Sequence, residues 1–544
     1  MHYGKLVRTK ARVFERAPKR RRVGEIVLVA LNVNDFLDRA ATVYPQRVAI
    51  VDDPSAAAPL GELTYSNFES RARGMALHLE EMGVGQGDRV AIVSPNAAKF
   101  MISYFGVSGY GRVLVPVNYR LTSEEVQYIV DHSGASVVLV DPEIAEPLAS
   151  LRAPRKIILD GVDDAELFAP AAPGHQPRVG TFDENATASI NYTSGTTARP
   201  KGVQLTHRNC WINAALFGWH TTVGEREVFL HTLPMFHCNG WGMPYAVTAM
   251  GAKQVVQRKI DGEQILERID RHGVTLMCGA PAVVAAVLDA GSARRDRGVD
   301  TPGRDRVRIV VAGAPPPSKI IERVGTELGW EFIQIYGLTE TSPLLTVNRA
   351  RAEWDELDAA ERAQLLSRAG VPALGVRIAT NDDGEVLAQS NHVFAGYWEQ
   401  PEESEKALGD GWFHTGDGGY VTGDSYLVIS DRKKDVIITG GENVSSIEVE
   451  DCLYQHPGVA EVAVIGVPDD RWGETIKALV VPRPGVAVDE DDLIAFCRER
   501  MAHFKCPTSV EMRESLIRTA TGKLQKFKLR APYWEGRDRL VSGG

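Results

Sequence analysis

The chain has no C-x-x-C pair; its six cysteines, Cys210, Cys238, Cys278, Cys452, Cys497 and Cys506, are scattered along 544 residues. That spacing implies neither a zinc site nor a disulfide framework, and it fits a reducing cytoplasm. Long apolar runs are also missing. The stretch Ile26–Leu31 is too short for a signal-peptide core and far too short to span a bilayer. No excess of positive charge exists over the whole chain. The net charge of −10 argues against general nucleic-acid binding. Internal repeats are absent, and so is the Gly-x-x-x-x-Gly-Lys-Ser/Thr spacing of a Walker loop.

A chain of 544 residues exceeds what one hydrophobic core usually holds, so two or more domains are expected. Residues 5–22 carry nine Lys and Arg against Glu15 alone. Residues 1–33 therefore read as a basic extension, either disordered or coding sequence upstream of the true start. Peripheral contact with an anionic membrane through this arm is the other reading. From Asn34 onward, helical and strand-like segments alternate. Asn34 reads as a helix cap, Ser123–Ser133 as a helix, and Val113–Val117 and Ala135–Val140 as buried strands. Such alternation predicts a parallel sheet with helices on its faces. Beyond about residue 430 the pattern becomes that of a compact α+β module.

The stretch Tyr192-Thr-Ser-Gly-Thr-Thr-Ala-Arg-Pro-Lys-Gly202 packs aliphatic hydroxyls, glycines and a lysine together. Hydroxyls and backbone N–H groups wrap phosphate oxygens, glycines permit close approach, and lysine adds charge. Alone it would read as a surface turn. Six further stretches accompany it: Pro234-Met-Phe-His-Cys-Asn-Gly240, Ala312-Gly-Ala-Pro315, Gln334-Ile-Tyr-Gly-Leu-Thr-Glu-Thr-Ser342, Gly411-Trp-Phe-His-Thr-Gly-Asp417, Asp431-Arg-Lys-Lys-Asp435 running into Thr439-Gly-Gly-Glu-Asn443, and Arg518-Thr-Ala-Thr-Gly-Lys523.

In order and spacing these stretches resemble the adenylate-forming superfamily, and within it the acyl-CoA synthetases, over about residues 34–530. The resemblance implies an α/β fold. A large multi-sheet N-terminal domain of adenylate-forming type (34–430) would carry a small mobile α+β C-terminal domain (431–544), hinged at Asp431. It implies an acid–thiol ligase that uses ATP, Mg2+ and coenzyme A. A carboxylate attacks the α-phosphate of ATP to give an acyl-adenylate and pyrophosphate; the CoA thiol then displaces AMP. Positioning and electrostatic stabilisation should dominate both steps.

By the same match Thr193, Ser194, Gly195, Thr196, Thr197 and Lys201 hold the β- and γ-phosphates, and Ala198 replaces a usual glycine. Glu340 matches the metal ligand, with Thr193 as a second contact. Thr339 meets the α-phosphate. Tyr336 stacks on adenine against Gly313 and Ala314, with Gln334 and Gly337 in the same nucleotide pocket. Asp417 takes both ribose hydroxyls; Arg432 and Lys434 approach from the other side. His237 stands beside the acyl carboxylate, and Trp241 is placed to line the acid pocket. Lys523 bridges the carboxylate and the α-phosphate during adenylation. After rotation of the small domain, the backbone of Gly440 and Gly441 lines the pantetheine channel. Taken singly, each has an ordinary reading: Glu340 as a helix cap, Asp417 as a turn residue, His237 as a structural histidine, Lys523 as a solvated lysine. Lys526, Lys528 and Arg530 read as solvated.

No carboxylate lies between Pro234 and Tyr245, so an α-amino acid, whose ammonium needs a buried partner, is disfavoured. A fatty or related apolar acid is the leading substrate class. The alternatives are a fatty-acyl-AMP ligase serving a carrier protein, a ligase for aryl or short branched acids, and a non-catalytic acyl or nucleotide sensor. The segment Ile378–Phe394 departs from the family by being short and lacking an Arg-Gly pair. A homodimer is left open.

Overall fold

The computed structural model describes residues 29–178, 183–193, 199–313, 316–432, 435–439, 442–469, 472–518 and 524–535. Two large sheets dominate. The nine-stranded sheet has a parallel centre, from Val48–Val51 through Lys253–Val256, Val228–His231, Leu276–Gly279 and Arg308–Val311 to Glu331–Gly337, with antiparallel strands at both edges. The seven-stranded sheet is parallel from Lys156–Ile158 to Thr187–Thr193, then turns antiparallel at Lys201–Thr206 and Gly396–Tyr397. Its central strands read Arg-Val-Ala-Ile-Val, Val-Leu-Val-Pro-Val and Ala-Ser-Val-Val-Leu-Val and are almost wholly buried. Parallel strands covered on both faces need such continuous apolar runs.

Helices fill the space between the sheets where the alternation predicts them. Thr122 caps the helix Ser123–Ser133 in a capping box with Glu125, and Gly134 ends it in the left-handed region at φ 61°. At Asn34 the local signal fails. The helix Asn34–Val43 is real, but Val33 occupies the cap position, and the side chain of Asn32 accepts the Asn34 amide. Val33 is fully buried, and the Leu31 amide donates to Glu184 at 3.0 Å. In the stretch that follows the strand Ala135–Val140, Lys156–Ile158 supplies an edge strand and Leu167 and Phe168 join the main core.

A four-stranded antiparallel sheet follows, in the order Arg377–Thr380, Glu385–Gln389, Phe413–Val421, Leu427–Arg432. The small C-terminal domain is built on five strands: Ile437–Thr439, Glu442–Val444, Val459–Asp469, Gly473–Pro482 and Ser509–Met512. The helices Ser446–Tyr454 and Glu490–Arg498 share its core, around Val449, Leu453, Leu493 and Cys497. The two domains touch at Ser318, whose amide and hydroxyl both donate to the Asp451 carboxylate, at 2.9 and 3.2 Å. Lys526 and Arg530 are not solvated, contrary to expectation. Lys526 pairs with Glu450 at 2.8 Å and Arg530 with Asp435 at 3.2 Å, all four side chains under 20 % exposed. The helix Lys526–Arg530 buries Leu529, and that docking draws both cations inward. Among the described residues no helix is long and apolar enough to cross a membrane.

Candidate functional site

The hydroxyl-rich stretch connects two antiparallel strands of the seven-stranded sheet. Thr193 and Lys201 are direct partners in the ladder, and Tyr192 pairs with Gly202. The two therefore close the stem of a loop. Ser194, Gly195, Thr196, Thr197 and Ala198 lie outside the described residues. The edge strand Gly396–Tyr397 pairs next to Lys201–Thr206, Tyr397 against Val203. This places the Tyr397 ring 4.8 Å from the Lys201 ammonium.

Glu340 reaches the same place from the nine-stranded sheet. The strand Glu331–Gly337 ends in a tight turn at Thr339–Thr341, which the Thr341 hydroxyl stitches to Leu338 and Pro343. Gly337 makes this possible, because a Cβ there would lie 1.6 Å from the Pro343 carbonyl oxygen. The Glu340 carbonyl accepts from Phe394 N–H at 2.7 Å, and its carboxylate accepts from the Tyr397 hydroxyl at 3.0 Å. Burial and the Glu340 charge together raise the Tyr397 pKa, so the phenol stays protonated and donates. Thr339 is buried, and its carbonyl faces the Cys238 thiol at 4.0 Å.

Tyr336, on the same strand as Gln334, donates its hydroxyl to Asp417 at 2.9 Å. Asp417 is buried on the strand Phe413–Val421 and is the ladder partner of Arg432. Arg432 is described by its backbone alone. Gln334 pairs with Val311 across parallel strands, so continuing that register sets the exposed Gly313, at φ 94°, level with Tyr336. Gln334 is 4 % exposed, and its Oε1 meets no partner among the described residues. A buried acceptor without a donor carries a cost unless a ligand supplies one. Ala314, Lys434, Gly440, Gly441 and Lys523 lie outside the described residues.

His237 is half-buried, and its carbonyl accepts from Gly240 N–H at 3.0 Å. Five consecutive residues follow in the left-handed region, Cys238 to Gly242, with φ between 45° and 77°. Three of them, Cys238, Asn239 and Trp241, are not glycine, so the turn is strained and needs external support. Two clamps provide it. Asn239 Nδ2 donates to Ser189 Oγ at 2.8 Å, Ser189 Oγ donates to Asn191 Oδ1 at 3.0 Å, and Asn191 Nδ2 donates to Asn239 Oδ1 at 3.2 Å. This closed ring ties the turn to the strand that ends at Thr193. On the other side, Asn213 donates to the Trp241 carbonyl at 3.2 Å and accepts from Leu344 N–H at 3.1 Å.

Tyr397, Asn191, Asn213 and Asn239 were not singled out from the sequence. Asn-Gly-x-Gly after an aromatic-histidine run does carry a turn signal. The ring and the Tyr397–Glu340 bond join segments far apart in the chain and leave no local trace. Among the described residues no three His, Cys, Asp or Glu side chains group to hold a metal ion. One carboxylate, Glu340, and one hydroxyl, Thr193, are hard oxygen donors that fit Mg2+ if phosphate oxygens and water complete the shell.

Residues 37–398 match the family described as AMP-binding enzyme, and residues 448–523 match the AMP-binding enzyme C-terminal domain. The chain is 36 % identical to 4-hydroxybutyrate–CoA ligase 2 of Metallosphaera sedula, over 91 % of this chain and 93 % of that protein. It is likewise 36 % identical to a 2-methylpropanoate–CoA ligase of Humulus lupulus, over 91 % and 94 %. Its fold is similar to that of an o-succinylbenzoate coenzyme A synthetase from Bacillus subtilis solved with ATP and magnesium ion. The TM-score is 0.77 at 26 % identity, covering 91 % of this chain and 99 % of that one.

Proposed function

Because the chain belongs to the AMP-binding enzyme family, we propose that it is an ATP-dependent acid–CoA ligase that activates a fatty or related apolar acid as its acyl-adenylate and transfers the acyl group to CoA. One observation carries the reading. Lys201, the ladder partner of Thr193, lies over the Tyr397 ring, the Tyr397 hydroxyl donates to Glu340, and Tyr336, on the strand that leads into the Glu340 turn, donates to Asp417; this supports reading the three segments as the phosphate, metal and ribose sides of one nucleotide site.

In this reading Lys201 and the loop hydroxyls bind the β- and γ-phosphates, and the Tyr397 hydroxyl orients Glu340. Mg2+ would be held by Glu340 and Thr193 and would neutralise phosphate charge. Asp417 takes the ribose hydroxyls with two acceptor oxygens, and the Gln334 Oε1 takes the donor that it lacks. Thr339 meets the α-phosphate, and His237 orients the acid. Lys523 then stabilises the charge that develops between acid and α-phosphate. The domains divide at Asp431, about which residues 431–544 rotate to present Gly440 and Gly441 for thioester formation. A cytoplasmic setting rests on the cysteine thiols, none of which forms a disulfide among the described residues.

Short, branched or medium-length members of the apolar acid class suit the site best. Trp241 is 4 % exposed and, like Met235, Phe236 and Tyr245, belongs to the main buried core. An indole there limits depth. The relatives named for 4-hydroxybutyrate and 2-methylpropanoate agree with that bias. An acid panel from acetate and 2-methylpropanoate through palmitate to benzoate, scored as pyrophosphate exchange and as acyl-CoA formed, tests the reading. Exchange and CoA-dependent AMP release with the shorter acids are expected. Silence with every acid would end the proposal, and exchange without CoA-dependent release would redirect it to a carrier-protein acceptor.

A further inference from the structure

The lysine at the hairpin stem already has a partner. Lys201 Nζ forms an ion pair with the carboxylate of Glu403, a residue that no sequence motif singled out. Glu403 lies in the first turn of the helix Pro401–Leu408, where a negative side chain is favoured. Ser404 fixes the start of that helix: its hydroxyl accepts from Tyr397 N–H and donates to the Gln400 carbonyl, both at 2.8 Å. Lys201 is thus held between the Tyr397 ring and Glu403, and the hydroxyl of that same tyrosine holds Glu340. The Lys201 hydrogen bond and charge keep the Glu403 carboxyl below its ordinary range. Glu403, Lys201, Tyr397 and Glu340 form one ladder from helix to metal carboxylate.

We propose that Glu403 is a positioning residue that stands in for the terminal phosphates of the nucleotide: it occupies Lys201 in the nucleotide-free enzyme, releases it to ATP, and reclaims it as pyrophosphate leaves. The proposal rests on the reading above, in which Lys201 meets the β- and γ-phosphates. The lysine side chain is 19 % exposed and the glutamate 45 % exposed, so the pair is open enough to exchange and too wet to be strong. If it holds Lys201 about four-fifths of the time, the nucleotide meets a competent lysine about one-fifth of the time. Apparent affinity for the phosphates is then weakened about fivefold. That weakening applies to product as well as substrate, so it speeds pyrophosphate departure.

A pair that merely braced the helix would alter thermal stability and leave nucleotide affinity alone. The test therefore compares wild type, Glu403→Gln, Glu403→Asp, Lys201→Ala and the Lys201→Ala/Glu403→Gln double variant. ATP affinity is measured by calorimetry and pyrophosphate inhibition by exchange kinetics. Glu403→Gln should tighten ATP and lower the pyrophosphate inhibition constant, both by about fivefold. Glu403→Asp should return both values toward wild type, and in the Lys201→Ala background the glutamine change should do nothing. Unchanged constants in Glu403→Gln, or a shift that persists without Lys201, would overturn the proposal while leaving the ligase reading intact. Wild-type protein that binds no ATP would overturn both.

Discussion

Asn191 and Asn239 meet side chain to side chain at 3.2 Å inside a fully buried ring that Ser189 completes. One asparagine sits two residues before Thr193, at the root of the Thr193/Lys201 hairpin. The other sits two residues after His237. The ring therefore sets the distance between Thr193 and His237, the proposed phosphate and acid sides of the site. Asn239→Ala would strand a donor on Asn191 and an acceptor on Ser189 and remove a residue type that tolerates positive φ. A stability loss of about 2–4 kcal/mol is expected, together with a fall in kcat/KM for adenylate formation larger than the fall in ATP affinity. Urea unfolding and pyrophosphate exchange measure the two.

The Tyr336–Asp417 bond predicts a graded response. Asp417→Ala removes the tyrosine's partner and both proposed ribose acceptors, and should raise the KM for ATP by about 10²- to 10⁴-fold, the equivalent of two charge-assisted hydrogen bonds. Tyr336→Phe keeps the ring and loses only the hydroxyl, so an effect within about fivefold is expected. Equal damage from both would mean that Asp417 serves the tyrosine rather than the nucleotide.

Lys523→Ala separates the half-reactions. Adenylate formation should fall by about 10²–10³-fold, as for loss of one electrostatic contact to a transition state, while thioester formation from supplied acyl-adenylate should persist. Stopped assays with each substrate pair show whether the two rates part company.

Acid stability follows from three histidines. Burial pushes His231 and His392 down to about 4 and His207 down to about 3, from an ordinary 6.5. All are neutral at pH 7 in the folded chain and mostly neutral in the unfolded one. As pH falls below 6.5, the unfolded chain takes up protons that the fold refuses, so stability is lost from pH 6.5 toward 4. The slope is up to about 1.4 kcal/mol per pH unit for each histidine. Within that window His392→Gln should reduce the slope of the urea midpoint free energy by about one proton. Above pH 7 it should leave the slope unchanged.

Trp241→Gly should deepen the acid pocket and relieve a left-handed residue at φ 61°. The ratio of kcat/KM for a longer acid over a shorter one is expected to rise by about tenfold or more, the worth of one or two methylenes in an apolar site. A ratio that does not move would remove Trp241 from the pocket.

The legibility of this chain in its sequence was uneven for physical reasons. Val113–Val117, Ser123–Ser133 and Ala135–Val140 end where the apolar runs and the Thr122/Gly134 punctuation say they should, because those signals are local. Asn34 misled because it is already the first helical residue, one past the Val33 cap, and its own amide is satisfied from outside by the Asn32 side chain. Lys526 misled because the basic run with Lys528 and Arg530 gives no hint of Glu450, which lies 76 positions earlier and faces it only once Leu529 docks. Glu403 and Tyr397 were silent because their meaning comes from an edge strand pairing with residues 201–206 across nearly two hundred positions. The four-stranded sheet from Arg377 to Arg432 was silent because its edge strand Arg377–Thr380 is half-exposed and short.

The contact at Ser318 makes one amide proton a gauge. The helix Ser318–Arg323 borrows its first acceptor from Asp451, on the other domain. A rotation that carries Asp451 away must hand that amide to water. Deuterium uptake at Ser318 would then rise in any state in which the smaller lobe turns away, so a single backbone position would report the proposed rotation without an attached fluorophore.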